Sequence, residues 1–251
     1  MKHTFLNQEK PILTTMVQAE TPQRTKELID LSLPEGAEAF GMQFCRFKEE
    51  YRTEETFRDL FSYAQKPIYI TNYRHCYNEG KSDDQLAEEL VSMASYGATL
   101  CDVMGDYFDP QPNELSDSEE AIQKQINLIE RIHKAGAEVL MSSHVLKFTP
   151  AEEVLRIALE HQRRGADICK IVTGADTMAE QMENLRIVTL LKETLSIPFL
   201  YLSGGECHFL RRVGGPLGCS MILCVHEYDQ FSTNTQPLLT DAKIIRDYLL
   251  P

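Results

Sequence analysis

Short runs of apolar and β-branched residues recur along this chain, and each is followed by a longer stretch with helical spacing of its apolar positions. Eight such pairs can be read. The strand expectations are 11–17, 37–44, 67–73, 98–104, 138–145, 168–174, 198–204 and 220–226, with helices near 21–32, 53–65, 83–96, 117–135, 149–164, 177–194, 207–213 and 240–250. Several strands are apolar nearly throughout, as parallel strands covered on both faces should be. Helix starts are marked by Thr149-Pro150 and by Ser116-Asp117-Ser118-Glu119, where a capping side chain precedes the first turn. Gly97, Gly136 and Gly165 fall just before apolar runs, where a left-handed cap would turn the chain into the next strand.

With 251 residues, 43% of them hydrophobic, the chain can bury a sizeable core, and no Pro-, Ser- or Gly-rich linker divides it. We therefore expect one α/β domain over residues 1–251. Eight β/α units in one domain fit a closed (β/α)8 TIM barrel. An open doubly wound sheet would usually carry a glycine-rich phosphate turn after its first strand. Here that turn is Val17-Gln-Ala-Glu-Thr-Pro22, which has no glycine and whose Glu20 would repel phosphate.

The formal charge is −13, from 25 Lys plus Arg against 38 Asp plus Glu. Nucleic acid and anionic membrane are therefore poor partners, since both need clustered basic residues. An anionic small molecule would need a locally basic pocket. The seven cysteines form no C-x-x-C pair and read as reduced core thiols of a cytoplasmic protein. Neither an amino-terminal signal stretch nor an apolar run of membrane-spanning length is present. No H-E-x-x-H or comparable ligand spacing occurs, so no metal site is expected.

In a barrel, reactive groups belong at the carboxyl ends of the strands. His144 ends the fifth strand, and Lys170 lies within the sixth, flanked by Ile168, Cys169, Ile171 and Val172. A lysine desolvated by such neighbours would expose a neutral amine, the nucleophile for a Schiff base with a ketone or aldehyde. His144 would then carry protons. The plainer readings are an end-of-strand ion pair for Lys170 and a structural role for His144. His226, which ends the eighth strand, reads as structural, and Cys169 is of interest only for its adjacency to Lys170.

These residues resemble the type I 3-dehydroquinate dehydratases, the Schiff-base (β/α)8 enzymes of the shikimate pathway. The resemblance spans nearly the whole chain. It rests on Ser142-Ser143-His144, on Cys169-Lys170-Ile171-Val172, on Leu202-Ser203-Gly204 leading to Arg211-Arg212, and on the F-S-T-N-T-Q loop at 231–236. It implies a lyase that converts 3-dehydroquinate to 3-dehydroshikimate and water without an organic cofactor. Lys170 would form the imine and His144 would act as base and then acid. Arg212, Ser232, Gln236 and Arg74 would bind substrate, and Glu79 would be the acidic residue that orients the histidine. Members of that family are often dimers, which makes a homodimer one expectation. The loop 227–237 would close as a lid, bringing Gln236 to the ligand.

Departures from the family pattern bear on the substrate. Gly41 and Gln43 stand where the family has a Glu-x-Arg pair, the third strand reads Ile70-Thr71-Asn72-Tyr73-Arg74 with one residue too many, and Leu202 and Gly204 replace two methionines. Imine chemistry is retained while partners for substrate hydroxyls are lost, at about 1–3 kcal/mol per missing bond. Alternatives are a Schiff-base lyase or aldolase for a different oxo-acid, or a non-catalytic barrel that binds a small acid.

Overall fold

The computed structural model describes residues 3–233 and 235–250. Eight parallel strands alternate with eight helices. The strands are β1 (Ile12–Val17), β2 (Ala39–Gln43), β3 (Ile68–Thr71), β4 (Leu100–Met104), β5 (Glu138–His144), β6 (Ile168–Gly174), β7 (Phe199–Gly204) and β8 (Met221–Cys224). The helices are α1 (Pro22–Ser32), α2 (Glu54–Ala64), α3 (Asp83–Tyr96), α4 (Glu119–Ala135), α5 (Ala151–Arg163), α6 (Met178–Thr194), α7 (Leu210–Leu217) and α8 (Leu239–Leu249). Strand order follows the chain from β1 to β7, with β8 beside β1. Around the last gap, Ser220 N–H donates to Phe199 C=O at 2.8 Å, so β7 meets β8 at their amino ends. The result is the (β/α)8 barrel that the alternating pattern requires.

Local chemistry sets the boundaries. Ser82 and Thr177 form capping boxes with Gln85 and Glu180, and Ser118 caps α4. Gly97 and Gly136 end α3 and α4 at φ of +118° and +101°, where a side chain would be strained. Two sequence expectations shift. Thr149 does not cap α5, because its hydroxyl turns back to Lys147 C=O and Pro150 takes the cap position. Helix α7 starts at Leu210, three residues later than the residue pattern suggested, because 205–209 form the turn out of β7.

Strand alternation sorts the side chains. Tyr69, Leu100, Leu140, Ile168 and Leu200 pack inside the barrel in one buried cluster. Above that layer the interior turns polar: Asp102, Ser142 and Lys170 are buried on neighbouring strands, in register at Asp102↔Leu140 and Ser142↔Lys170. Gly41 lies on the same inward face of β2. A Cβ there would lie 2.3 Å from Met16 Sδ and 3.2 Å from the Tyr69 ring, so the absent side chain is the space those two occupy.

Candidate active site

Lys170 Nζ, in a side chain only 5% exposed, donates to Tyr73 Oη at 2.7 Å, Tyr69 Oη at 3.0 Å and Asp102 Oδ2 at 3.1 Å. Asp102 also accepts hydroxyl hydrogen bonds from Tyr73 at 2.6 Å and from Tyr69 and Ser142. The apolar surroundings expected of the amine are therefore corrected. Alternation turns Cys169 and Ile171 outward to the helices, and Nζ itself sits in a polar cradle. The ion-pair reading of Lys170 holds here together with its burial inside the barrel.

The charges in the cradle support one another. Burial pushes the Asp102 carboxyl up, but the positive charge of Lys170, then His144 and the Ser142 and Tyr69 hydroxyls, hold it below the usual carboxylate value. Burial first, and the Asp102 charge second, push Tyr69 and Tyr73 well above an ordinary phenol. Both remain hydrogen-bond donors.

His144 stands at the mouth end of β5. Its Nδ1 lies 2.8 Å from Glu114 Oε2, and its backbone N–H donates to the same oxygen at 2.7 Å. That contact assigns the Nδ1 proton to the carboxylate side and leaves Nε2 to face elsewhere. The Tyr73 ring meets the imidazole edge-on at 5.2 Å, which joins the histidine to the lysine cradle.

Glu114 comes from the long connection between β4 and α4, and buried groups hold that segment. Ser143 Oγ donates to Glu114 C=O at 2.7 Å and contacts His161 Nε2 at 3.0 Å, while His161 Nδ1 faces Cys169 Sγ at 3.4 Å. Arg164, fully buried, donates to Gly105 C=O and Ser116 C=O, and Gln125 reaches Gly105 and Tyr107 C=O. Gly105 must be glycine for close approach: a Cβ would lie 2.5 Å from Glu114 O and 3.0 Å from both His161 Nε2 and Ser143 Oγ. Cys169 thus supports the site from behind and does not enter it.

His161 makes this support pH-sensitive. Burial, helped by Arg164, lowers its pKa to about 3. The unfolded chain then binds the proton first, so stability is full above the unfolded value of about 6.5 and falls as pH drops toward 3, at about 1.4 kcal/mol per unit. Chemical denaturation of wild type and His161→Gln across that range should show a shallower decline in the variant. Identical slopes would remove His161 from the account. At the front of the chain, Glu114→Gln should cut kcat by about 100-fold with KM little changed, since it removes the charge that holds His144. Steady-state kinetics on a variant with unchanged thermal unfolding checks this.

The other residues expected from sequence divide. Arg74 does not face a ligand: it is bound to Asp83 through Nε and Nη2 at 2.8 and 2.9 Å and to Asp106 through Nη1 at 2.8 Å. Although burial works against the charge, those carboxylates raise the guanidinium pKa, and the residue brackets β3 to α3 and the β4 connection. Glu79 is exposed, and the carboxylate in contact with His144 is that of Glu114. Ser232 bonds to Asp229 and Gln236 to Thr233, so both are turned into their own loop; Asn234 lies outside the described residues. Arg212 is half-buried in the first turn of α7 and has no ion-pair partner among the described residues. Its neighbour Arg211 donates to Ser203 C=O at 3.0 Å, and burial brings its pKa down to about 10. His226 pairs with Glu35 at 2.8 Å, in keeping with a structural role.

Sequence reasoning missed Asp102, Tyr69, Tyr73, Glu114 and Arg46. Arg46 follows β2 in a single 3-10 turn, Phe44–Arg46, and lays its guanidinium over the Phe231 ring at 5.1 Å. Its buried Nε has no hydrogen-bond acceptor. An acid inside the apolar run T-L-C-D-V-M was as legible as the lysine, because buried charges come in pairs. Glu114 carried no such signal.

The model of the family described as "Type I 3-dehydroquinase" matches residues 18–242. The chain belongs to the type I 3-dehydroquinase family. A 3-dehydroquinate dehydratase of Alkaliphilus oremlandii is 32% identical over 106 residues, 41% of this chain and 40% of that protein. One from Enterococcus faecalis is 27% identical over 130 residues, 49% and 47% of the two chains. The matched stretches thus span less than half the length of these curated relatives. Among solved structures, the 3-dehydroquinate dehydratase of Geobacillus kaustophilus superposes with a TM-score of 0.80 at 15% identity, covering 96% of this chain and 91% of its own. The type I enzyme of Clostridium difficile, solved with covalently modified comenic acid, has the same score and identity with 99% and 98% covered. At such identities these structures speak for the barrel alone. Among the described residues, no helix is long and apolar enough to cross a membrane.

Proposed function

We propose that this type I 3-dehydroquinase-family chain dehydrates 3-dehydroquinate to 3-dehydroshikimate through an imine on Lys170. The observation that carries the reading is a primary amine buried in the barrel mouth and, on the neighbouring strand, a histidine held at Nδ1 by the Glu114 carboxylate. The Lys170 ammonium passes one proton to His144 Nε2, the neutral Nζ adds to the ring ketone carbon, and His144 returns that proton to the carbinolamine oxygen, which leaves as water and gives an iminium. Asp102, 3.1 Å from the same nitrogen, stabilises that cation. His144 Nε2 removes the proton from the adjacent carbon, and the C–H electron pair moves into an enamine. The enamine expels the neighbouring hydroxyl, which takes the proton back from His144 and leaves as water. A second water then hydrolyses the conjugated iminium and returns the amine. Tyr73 Oη, 2.7 Å from Nζ, is placed to hydrogen-bond the carbinolamine oxygen.

A carboxylate ligand needs cations that are not already neutralised. Arg74 is excluded by its two aspartates, whereas Arg212 and the unpaired Nε of Arg46 meet the requirement. Ser232 and Gln236 join the contacts only if the loop after β8 opens its internal hydrogen bonds. A second reading, an imine-forming lyase for an oxo-acid with fewer hydroxyls, is favoured by Met16 and Tyr69 filling the space at Gly41.

Borohydride trapping tests both readings. The protein is incubated with 3-dehydroquinate, reduced and weighed intact, then digested, while turnover is followed by absorbance of the enone product. Turnover with an adduct on Lys170 supports the first reading. An adduct only with a less hydroxylated oxo-acid supports the second, and no adduct with either removes the imine.

A further inference from the structure

Two single-turn 3-10 helices lie against each other at the barrel mouth, Phe44–Arg46 after β2 and Cys76–Asn78 after β3. Together they gather Cys45, His75 and Cys76, one ligand atom from each lying within 4.8 Å of the other two. Cys45 Sγ is 3.6 Å from His75 Nδ1, and Cys76 Sγ is 3.0 Å from the same nitrogen. Cys76 adopts φ of +57°, a left-handed conformation that costs a residue other than glycine about 1–2 kcal/mol. Strain of that kind persists where the surrounding structure requires it.

We propose that Cys45 Sγ, His75 Nδ1 and Cys76 Sγ form a three-ligand zinc site, its fourth tetrahedral position left to water or a small anion. Two sulfurs and an imidazole are the donors zinc prefers, and three protein ligands leave an open position. Zn–S of about 2.3 Å and Zn–N of about 2.0 Å at tetrahedral angles separate sulfur from nitrogen by about 3.5 Å. The Cys45–His75 pair already has that spacing, and the Cys76 contact needs to open by about half an ångström. Cys45 is buried, Cys76 half-buried and His75 exposed, so the cluster is anchored on one side and reachable from solvent on the other. Burial, with Cys76 close by, pushes the Cys45 thiol up to about 11. Burial, Arg46 and His144 hold His75 below its ordinary value, which leaves it a neutral ligand. Zinc must displace the thiol protons, so its affinity rises with pH.

Bound zinc ties the β2 and β3 ends together. Arg46 directly follows Cys45, and the Tyr73 ring lies 5.8 Å from that of His75. The metal thus fixes the loops that carry Tyr73 and the unpaired Arg46 without touching the reacting centre. The sequence expectation of no metal site came from searching for ligands close in the chain, whereas this set joins positions thirty residues apart.

The test uses the full-length protein, reduced and stripped with chelator. Zinc titration should give one ion per chain, tighter at pH 8 than at pH 6, and cobalt in its place should show thiolate charge-transfer bands. Cys76→Ser and His75→Ala, at positions open to solvent, should each weaken zinc binding by about 100-fold or more. The proposal is overturned by no stoichiometric zinc on the reduced protein, by zinc binding in both variants equal to that of wild type, or by cobalt spectra without sulfur bands. A Cys45–Cys76 disulfide that forms in air while the reduced protein takes up no zinc also overturns it.

Discussion

Lys170→Met should lower turnover of 3-dehydroquinate by on the order of 10⁴-fold or more and abolish borohydride trapping, because methionine keeps the volume and removes the only amine in the cradle. Residual activity from binding and His144 alone is expected to be small. The same change leaves Asp102 buried without its cation, so the variant should also unfold earlier by about 3–5 kcal/mol. Two measurements keep these effects apart: denaturant unfolding reports the lost ion pair, and intact mass after borohydride reports the lost nucleophile in whatever fraction is folded. An adduct retained in Lys170→Met would place the imine on another residue.

Asp102→Leu is the complementary case and carries an expected stability loss of the same size, about 3–5 kcal/mol. Here Lys170 remains, with Tyr69 and Tyr73 hydroxyls but no counter-charge. Replacing both partners, as Lys170→Met with Asp102→Leu, should recover most of that loss, because a well-packed apolar pair avoids the desolvation that each charge costs. A double variant no more stable than either single one would mean that the cradle is held by its hydroxyl network and not by charge. The pH dependence has a defined sign. The folded pKa of Asp102 is depressed, so its contribution is complete above the unfolded carboxylate value of about 3.9 and disappears as pH falls through the folded one. The Asp102 and His161 contributions therefore occupy successive windows on the acid side, the histidine beginning near pH 6.5 and the aspartate only below about 4.

The cradle also changes the account of how an acidic protein receives an anion. The net charge of −13 is shared between helices and connections, and the groove between α3 and α4 sets Asp84, Glu88, Glu119 and Glu120 against Lys124 and Arg131. Such a groove suits a carboxylate ligand poorly. Arg74, counted on sequence alone as part of a basic mouth, is neutralised by Asp83 and Asp106. Arg212 and Arg46 make no ion pair among the described residues, and Arg46 reaches the loop after β8 because the chain brings Phe231 beneath it.

The sequence by itself determined the eight β/α units and the barrel, and it singled out Lys170 and His144 as the candidate reactive pair. Each of these rests on information local to the chain: hydrophobic period, capping residues, cap glycines, and a lysine and a histidine set where strands end. It also pointed to Arg212 through neighbouring residues. Only the tertiary structure decided the partners. Tyr69, Tyr73 and Asp102 reach Lys170 from positions 68 to 101 residues away in the chain. Glu114 meets His144 because an irregular loop pinned by Arg164, Gln125 and His161 lies over β5. Cys45 meets His75 because two neighbouring strands end at the same height. Hydrogen bonds and ion pairs act over about 3 Å in space and are indifferent to separation along the chain. A residue's place in the barrel could therefore be read from its neighbours in sequence, whereas what its side chain touches depended on the closure of the whole sheet.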